Sequence, residues 1–168
     1  MQPSEALSAS AQVAVALAGF AGVVVAFRSG SIHEWSRVDK FRLWILLVNS
    51  GLPFGLSILG ISLSATSLDP DRMWQICSVL AFVSTVFIGQ QMMGSIRGFS
   101  PQEFKTGGGS RVVFFTSGIV AIAVTLLQLY NAIALKTFWP FFAAIATQLV
   151  LGMLQFIRLV LIGEESRS

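Results

Sequence analysis

The side chains able to do chemistry are few, and they do not cluster. The single histidine, His33, lies beside Glu34 in a basic segment running from Arg28 to Arg42. A metal site needs several ligands, which one His and one Glu do not supply. A lone His also cannot provide both axial ligands of a haem. The pair reads as part of a solvated loop. Cys77 is the only cysteine and falls inside an apolar run. No intrachain disulfide or cysteine metal site is available to it, and its expected role is that of a small buried hydrophobe. The sequence holds no nucleophile elbow, Walker loop, HExxH or dinucleotide fingerprint. Gly107-Gly108-Gly109 is too short for a phosphate loop and reads as a connector, and Glu164-Glu165 reads as a solvated tail. The expectation is therefore a non-enzyme with no catalytic, cofactor-binding or metal-ligating residues.

What remains is hydrogen bonding by neutral groups set in apolar surroundings. Ser50, Ser57 and Ser64 recur seven apart, with Asn49, Pro53 and Gly60 along the same side. Cys77, Ser84 and Gln91 repeat that spacing, and Gln128, Gln148 and Gln155 follow further on. An amide left without a partner in hydrocarbon costs several kcal/mol, so Gln91, Gln128, Gln148 and Gln155 are expected to face protein or water. Two readings fit. One is a packed seam between helices; the other is a hydrated passage whose candidate polar lining is Ser50, Ser57, Ser64, Gln91 and Gln148. Charged groups deep in a span mark proton relays and ion sites. Here no Asp, Glu, Lys or His lies deep in an apolar run, and Arg158 is near enough to a run's end to snorkel. A proton-coupled pump is disfavoured.

Small residues form a second pattern. Ser10, Ala14, Ala18, Gly22 and Ala26 recur every fourth residue, and Gly51 and Gly55 make a GxxxG. Such spacing leaves one helix face without bulk, where another backbone can approach. Ala14, Ala18, Gly22, Gly51, Gly55 and Gly60 are the expected helix-packing residues, whether the approaching helix belongs to this chain or to another.

The elements that must carry these residues follow from composition. The chain of 168 residues is 54% hydrophobic and 11% charged, with a mean hydropathy of +0.76. So few charges cannot cover so apolar a chain in water, and lipid is the expected solvent and partner. Crossing a bilayer core about 30 Å thick takes about 20 residues at about 1.5 Å each. Five runs qualify, at about 7–27, 43–65, 73–96, 112–135 and 141–163. They predict one all-α integral membrane domain over 1–168, a five-span bundle whose weakest span is the Ala- and Ser-rich first.

Local signals mark the ends. Asp69-Pro70-Asp71 should start the third helix, Ser36 with Asp39 or Ser31 with Glu34 should cap the second, and Pro140 suits the first turn of the fifth. Ser100-Pro101-Gln102-Glu103 has capping-box spacing for a short interfacial helix, and Ser110 can cap the fourth span. The Pro53 position should kink the second helix. Trp44, Trp74 and Trp139 fall at span ends as interfacial anchors, and Trp35 should lie on the membrane surface.

Basic residues set the expected direction. Arg28, Arg37, Lys40, Arg42, Arg97, Lys105, Arg111, Arg158 and Arg167 share one side, against Arg72 and Lys136 on the other; this 9 to 2 split accounts for all 11. By the positive-inside rule the N-terminus is outside and the C-terminus cytoplasmic. The N-terminal residues lack a basic n-region, so the first run is expected to be retained as a span. The basic loops lack interleaved aromatic platforms, and no nucleic-acid partner is expected. The expected function is that of a non-enzymatic component of a cell membrane, of the bacterial inner-membrane kind. It would assemble through small-residue faces as a homo-oligomer or as an accessory subunit of a larger complex. The alternative is an oligomeric channel or facilitator with a neutral polar lining.

Overall fold

In the computed structural model the residues described are 2–27, 33, 35–98 and 111–165. They form five long helices: α1 (Pro3–Phe27), α2 (Arg37–Ser64), α3 (Pro70–Arg97), α4 (Arg111–Tyr130) and α5 (Phe138–Glu165). A π-helical turn, Asn131–Leu135, continues α4. Each helix contains a stretch long and apolar enough to cross a membrane, and the described residues include no strand. The chain is an all-α, multi-pass membrane protein.

The helix ends follow the sequence signals where these are described. Ser36 is the N-cap of α2: its Oγ accepts from the Asp39 N–H at 3.1 Å and donates to the Asp39 carboxylate at 2.9 Å. Asp69 precedes α3, with Pro70 at the first helical position, where its missing N–H is no loss. Pro140 sits in the first turn of α5. The Ser31–Glu34 cap and the 100–110 segment lie outside the described residues. The α2 helix stays continuous through Pro53.

The bundle is built on α2 and α5. The α1 helix packs along α2 and touches α5, α3 packs on α2 and α5, and α4 lies against α3 and α5. Two glycines set the closest approaches. A Cβ on Gly60 would lie 2.7 Å from Leu7 Cδ1 of α1 and 3.4 Å from Phe141 Cε1 of α5. A Cβ on Gly152 of α5 would lie 3.4 Å from Asn49 Cβ and 3.5 Å from both the Asn49 carbonyl and Leu17 Cδ1. The two contacts make α2 antiparallel to α5 and fix their register. The Gly152 approach also has a covalent cause on the α2 side. Pro53 has no N–H to give the Asn49 carbonyl, and the bare Gly152 backbone closes over that oxygen.

Side-chain packing concentrates toward the end of the bundle away from most of the basic residues. Ala6, Leu7 and Ala14 of α1, Leu56 of α2, Trp74 and Cys77 of α3, and Phe138, Phe141 and Ile145 of α5 form one cluster. The Trp74 ring lies tilted against Phe138 at 5.1 Å and Phe141 at 6.0 Å. A smaller cluster at the basic end joins Ala21, Trp35, Leu43 and Leu46, with Phe20 of α1 stacked on Phe156 of α5 at 5.5 Å. Lipid tails are as apolar as these side chains, so close packing rather than removal from water holds the helices together.

Two tryptophans differ from expectation. Trp74 is a core residue, because its contacts with the α5 rings outcompete the interface for it, and Trp35 is buried in the smaller cluster. Trp139 is largely exposed and Trp44 half-buried. The Ala- and Ser-rich opening of α1, expected to be the weakest span, is well packed, with Ala6, Leu7, Ser10, Ala11 and Ala14 all buried.

Candidate functional site: polar seam and small-residue faces

The polar residues of the spans divide into an interior group and an outward group. Ser50 is buried, and its Oγ donates to the Leu46 carbonyl at 2.8 Å, one turn back in its own helix. Ser57 is fully buried, and its Oγ has no hydrogen-bond partner among the described residues. Gln148 of α5 is buried, with its Nε2 donating to Thr85 Oγ1 of α3 at 3.5 Å and its Oε1 without a partner among the described residues. The register set by Gly60–Phe141 and Asn49–Gly152 brings Gln148 level with Pro53, between Ser50 and Ser57. All three are interior, with Ser50 and Ser57 about 10 Å apart along α2 and Gln148 at a height between them. Ser64 is exposed at the end of α2, where it bonds the Gly60 carbonyl at 2.7 Å, and Gln91 is exposed on α3. Neither joins the other three. Gln91 does not face the interior of this chain, and Gln155 is half-buried.

A second polar cluster ties α3 to the α4–α5 connection. Asn131 is fully buried. Its Nδ2 donates to Ser78 Oγ at 2.6 Å and to the Thr137 carbonyl at 2.9 Å, and its Oδ1 accepts from the Thr137 N–H at 3.0 Å. The Gln75 amide donates to the Ala132 carbonyl at 2.8 Å, and the Gln128 amide to the Pro140 carbonyl. Lys136 takes a left-handed conformation, φ 50°, and returns its N–H to the Asn131 carbonyl at 2.8 Å. Such a residue closes a helix end by reversing the chain. Gln75, Ser78 and Thr137 were not singled out in the sequence. Their only trace there is two polar residues near the start of α3 and one just before α5, which have no period to detect.

The six small residues expected to pack also divide. Ala14 is buried, and of the described glycines Gly60 has the least room for a Cβ. Ala18 is half-buried. Gly22, Gly51 and Gly55 are exposed, and a Cβ on any of the three would meet nothing within 4 Å. The GxxxG of α2 thus presents bare backbone to the outside of the chain.

Charged groups gather at the helix ends. Arg42 is buried and pairs with Asp39 at 3.7 Å, and Lys40 Nζ donates to the His33 carbonyl at 2.9 Å. A Cβ on Gly98 would lie 3.7 Å from the Arg37 guanidinium, so the start of α2 and the end of α3 meet at one end of the bundle. Among the described residues no three His, Cys, Asp or Glu side chains come together as a metal site. Between α1 and α2, facing outward, an open groove of about 440 Å³ is lined by Ser8, Ala11, Gln12, Val15, Ala16, Phe54, Ile58 and Ile61.

Comparison with known proteins finds no match to any family model, curated protein or solved structure. The functional reading rests on the bundle alone.

Proposed function

We propose that this chain is a non-enzymatic component of a cell membrane, of the bacterial inner-membrane kind, that assembles through small-residue helix faces. It does so with copies of itself or as an accessory subunit of a larger complex. The observation that carries the reading is the pair Gly51 and Gly55, exposed on α2 with open space where each Cβ would be. Glycine in a helix interior costs roughly 0.5–1 kcal/mol relative to alanine. Inside the fold Gly60 and Gly152 offset that cost by close approach, whereas Gly51 and Gly55 do so only if a helix from outside the chain approaches them. The basic residues at one end support a cytoplasmic C-terminus and an external N-terminus.

The test is a mass measurement of the protein extracted in mild detergent or held in lipid nanodiscs. A discrete oligomer, or a stoichiometric co-purifying protein, is expected, and Gly51→Leu should reduce it while leaving the helical content unchanged. A bare monomer with no companion under all extraction conditions overturns the proposal.

The buried Ser57 Oγ and Gln148 Oε1, which lack partners among the described residues, favour a second reading, a channel or facilitator with a neutral polar lining. Ser57→Leu separates the two. A flux present in wild type and lost in this variant, with assembly intact, supports the channel.

A further inference from the structure

The α4 helix is buried at one end only. In α1 buried residues run from Ala6 to Ala21, in α2 from Arg42 to Gly60, and in α5 from Phe138 to Gly152. In α4 and its π turn the buried residues are Gln128, Asn131 and Ala132, and between Thr116 and Leu127 none is buried. The α3 helix is buried from Met73 to Ala81, and at its basic end the Arg37 side chain of α2 lies beside Gly98.

The two ends of α4 also meet their neighbours differently. Toward the basic end its half-buried face carries Ser117, Ala121 and Thr125, four apart, with Val124 and Leu127 at the margin. Thr125 Oγ1 donates to the Ala121 carbonyl of its own helix at 2.7 Å. The large side chains Ile119, Ile122 and Leu126 are exposed, so this face has little bulk to interlock with α3 or α5. At the other end three side-chain bonds cross between elements. Asn131 donates to Ser78 at 2.6 Å, Gln75 to the Ala132 carbonyl at 2.8 Å, and Gln128 to the Pro140 carbonyl.

A segment with few buried contacts opens at lower cost than the core around it. Hinges are a few residues at element ends that absorb the change in dihedral angles, and π turns recur at functional sites. Asn131–Leu135 is such a turn, closed by the left-handed Lys136. We propose that α4 swings as a lever about the Asn131 pin, moving away from α3 and α5 at the basic end while the opposite end stays shut. The arm from Ser117 to Asn131 is about 21 Å long, so a swing of about 10° moves its free end by about 4 Å. Collective motions of this kind run on the microsecond-to-millisecond scale. The lever lies within one chain and does not depend on the assembly reading.

The test is spin-label distance measurement in lipid nanodiscs, with Cys77, fully buried in α3, replaced by Ala. Three pairs of exposed sites are compared. Met93→Cys with Ile119→Cys reads α3 against α4 at the basic end. Val79→Cys with Leu129→Cys reads the same two helices at the pinned end. Val23→Cys with Leu47→Cys reads α1 against α2 at the basic end. The first pair should give a broad or two-peaked distribution, spread by about 4 Å more than the other two. Asn131→Ala should broaden the pinned pair as well, and Ser78→Ala, the milder change, should do so to a smaller extent. Three outcomes overturn the proposal: a first pair as narrow as the α1–α2 pair, equal broadening of all three pairs, or a pinned pair that neither variant alters.

Discussion

Gly60 of α2 faces Leu7 of α1 so closely that a Cβ at Gly60 would come within 2.7 Å of Leu7 Cδ1. Leu7 is itself fully buried, with Gly60's other neighbour, Phe141, also fully buried beside it. The added methyl in Gly60→Ala therefore has no free volume to enter. Overpacking of this kind costs about 1–3 kcal/mol, against a gain of roughly 0.5–1 kcal/mol for replacing glycine in a helix. Gly60→Ala should be net destabilising, by up to about 2 kcal/mol. Gly51→Ala, which meets nothing within 4 Å, should leave the fold as stable or slightly more so. Thermal unfolding of monodisperse protein in one detergent checks both. Equal behaviour of the two variants would mean that α1 and α2 do not meet at Gly60.

The Asn131 cluster should act as a pin rather than as a source of bulk stability. Its side chain makes one bond across to Ser78 and three with Thr137 within the α4–α5 connection. Interhelical bonds of this type average about 0.6 kcal/mol, and Ser78→Ala should cost about that much. Asn131→Ala removes the bonds to Thr137 as well as the one to Ser78, so it should cost more than Ser78→Ala, about 1–2 kcal/mol. A double-mutant cycle on the two positions should return a coupling of roughly 0.5–1 kcal/mol. Strict additivity would show that Ser78 and Asn131 do not touch.

These two cases show where sequence reading succeeded and where it stopped. The number and approximate limits of the helices were legible, because about 20 apolar residues is a bilayer requirement independent of packing. The Ser36 cap and the Asp69-Pro70 start were legible for the same local reason. Which face of each helix turns inward was not. Val23, Phe87 and Ile133 are as apolar as buried Leu46 or Ile145 yet stand exposed, because lipid and protein interior ask for the same residue types. The every-fourth-residue pattern on α1 found buried Ala14 and also exposed Gly22. Likewise the seven-residue spacing found Ser50 and Ser57 but carried Ser64 out to the helix end and Gln91 to the outer surface. Trp74 was misplaced because its ring partners, Phe138 and Phe141, are more than sixty residues away in sequence.

Ser57 offers a prediction of opposite sign. A buried hydroxyl without a partner carries its desolvation cost with no compensating bond. Ser57→Ala removes the group and leaves almost the same shape, so stability should rise, by up to about 1 kcal/mol. If a water or a permeating species satisfies Ser57 Oγ in the membrane, the substitution should instead destabilise the protein or change its flux. Unfolding and liposome-flux measurements on this single variant therefore read the seam and channel alternatives directly.

The direction of insertion can be tested through a contact the bundle makes visible. Arg37 at the start of α2 reaches Gly98 at the end of α3, so the loop before α2 and the loop after α3 emerge on one side. Arg37, Lys40, Arg42 and Arg97 gather there, and among the described residues only Arg72 and Lys136 lie at the opposite end. Positive residues near span ends hold a loop in the cytoplasm. In intact cells, a membrane-impermeant thiol reagent should then label a cysteine placed at Thr66, between α2 and α3, and spare one placed at Ser36. Reversing the balance, by Arg37→Glu and Lys40→Glu together with Ser67→Arg and Leu68→Arg, should weaken this preference and yield a mixed population labelled at both positions. Labelling of Ser36→Cys alone in the unmodified background would turn the bundle over in the membrane while leaving every helix contact as it is.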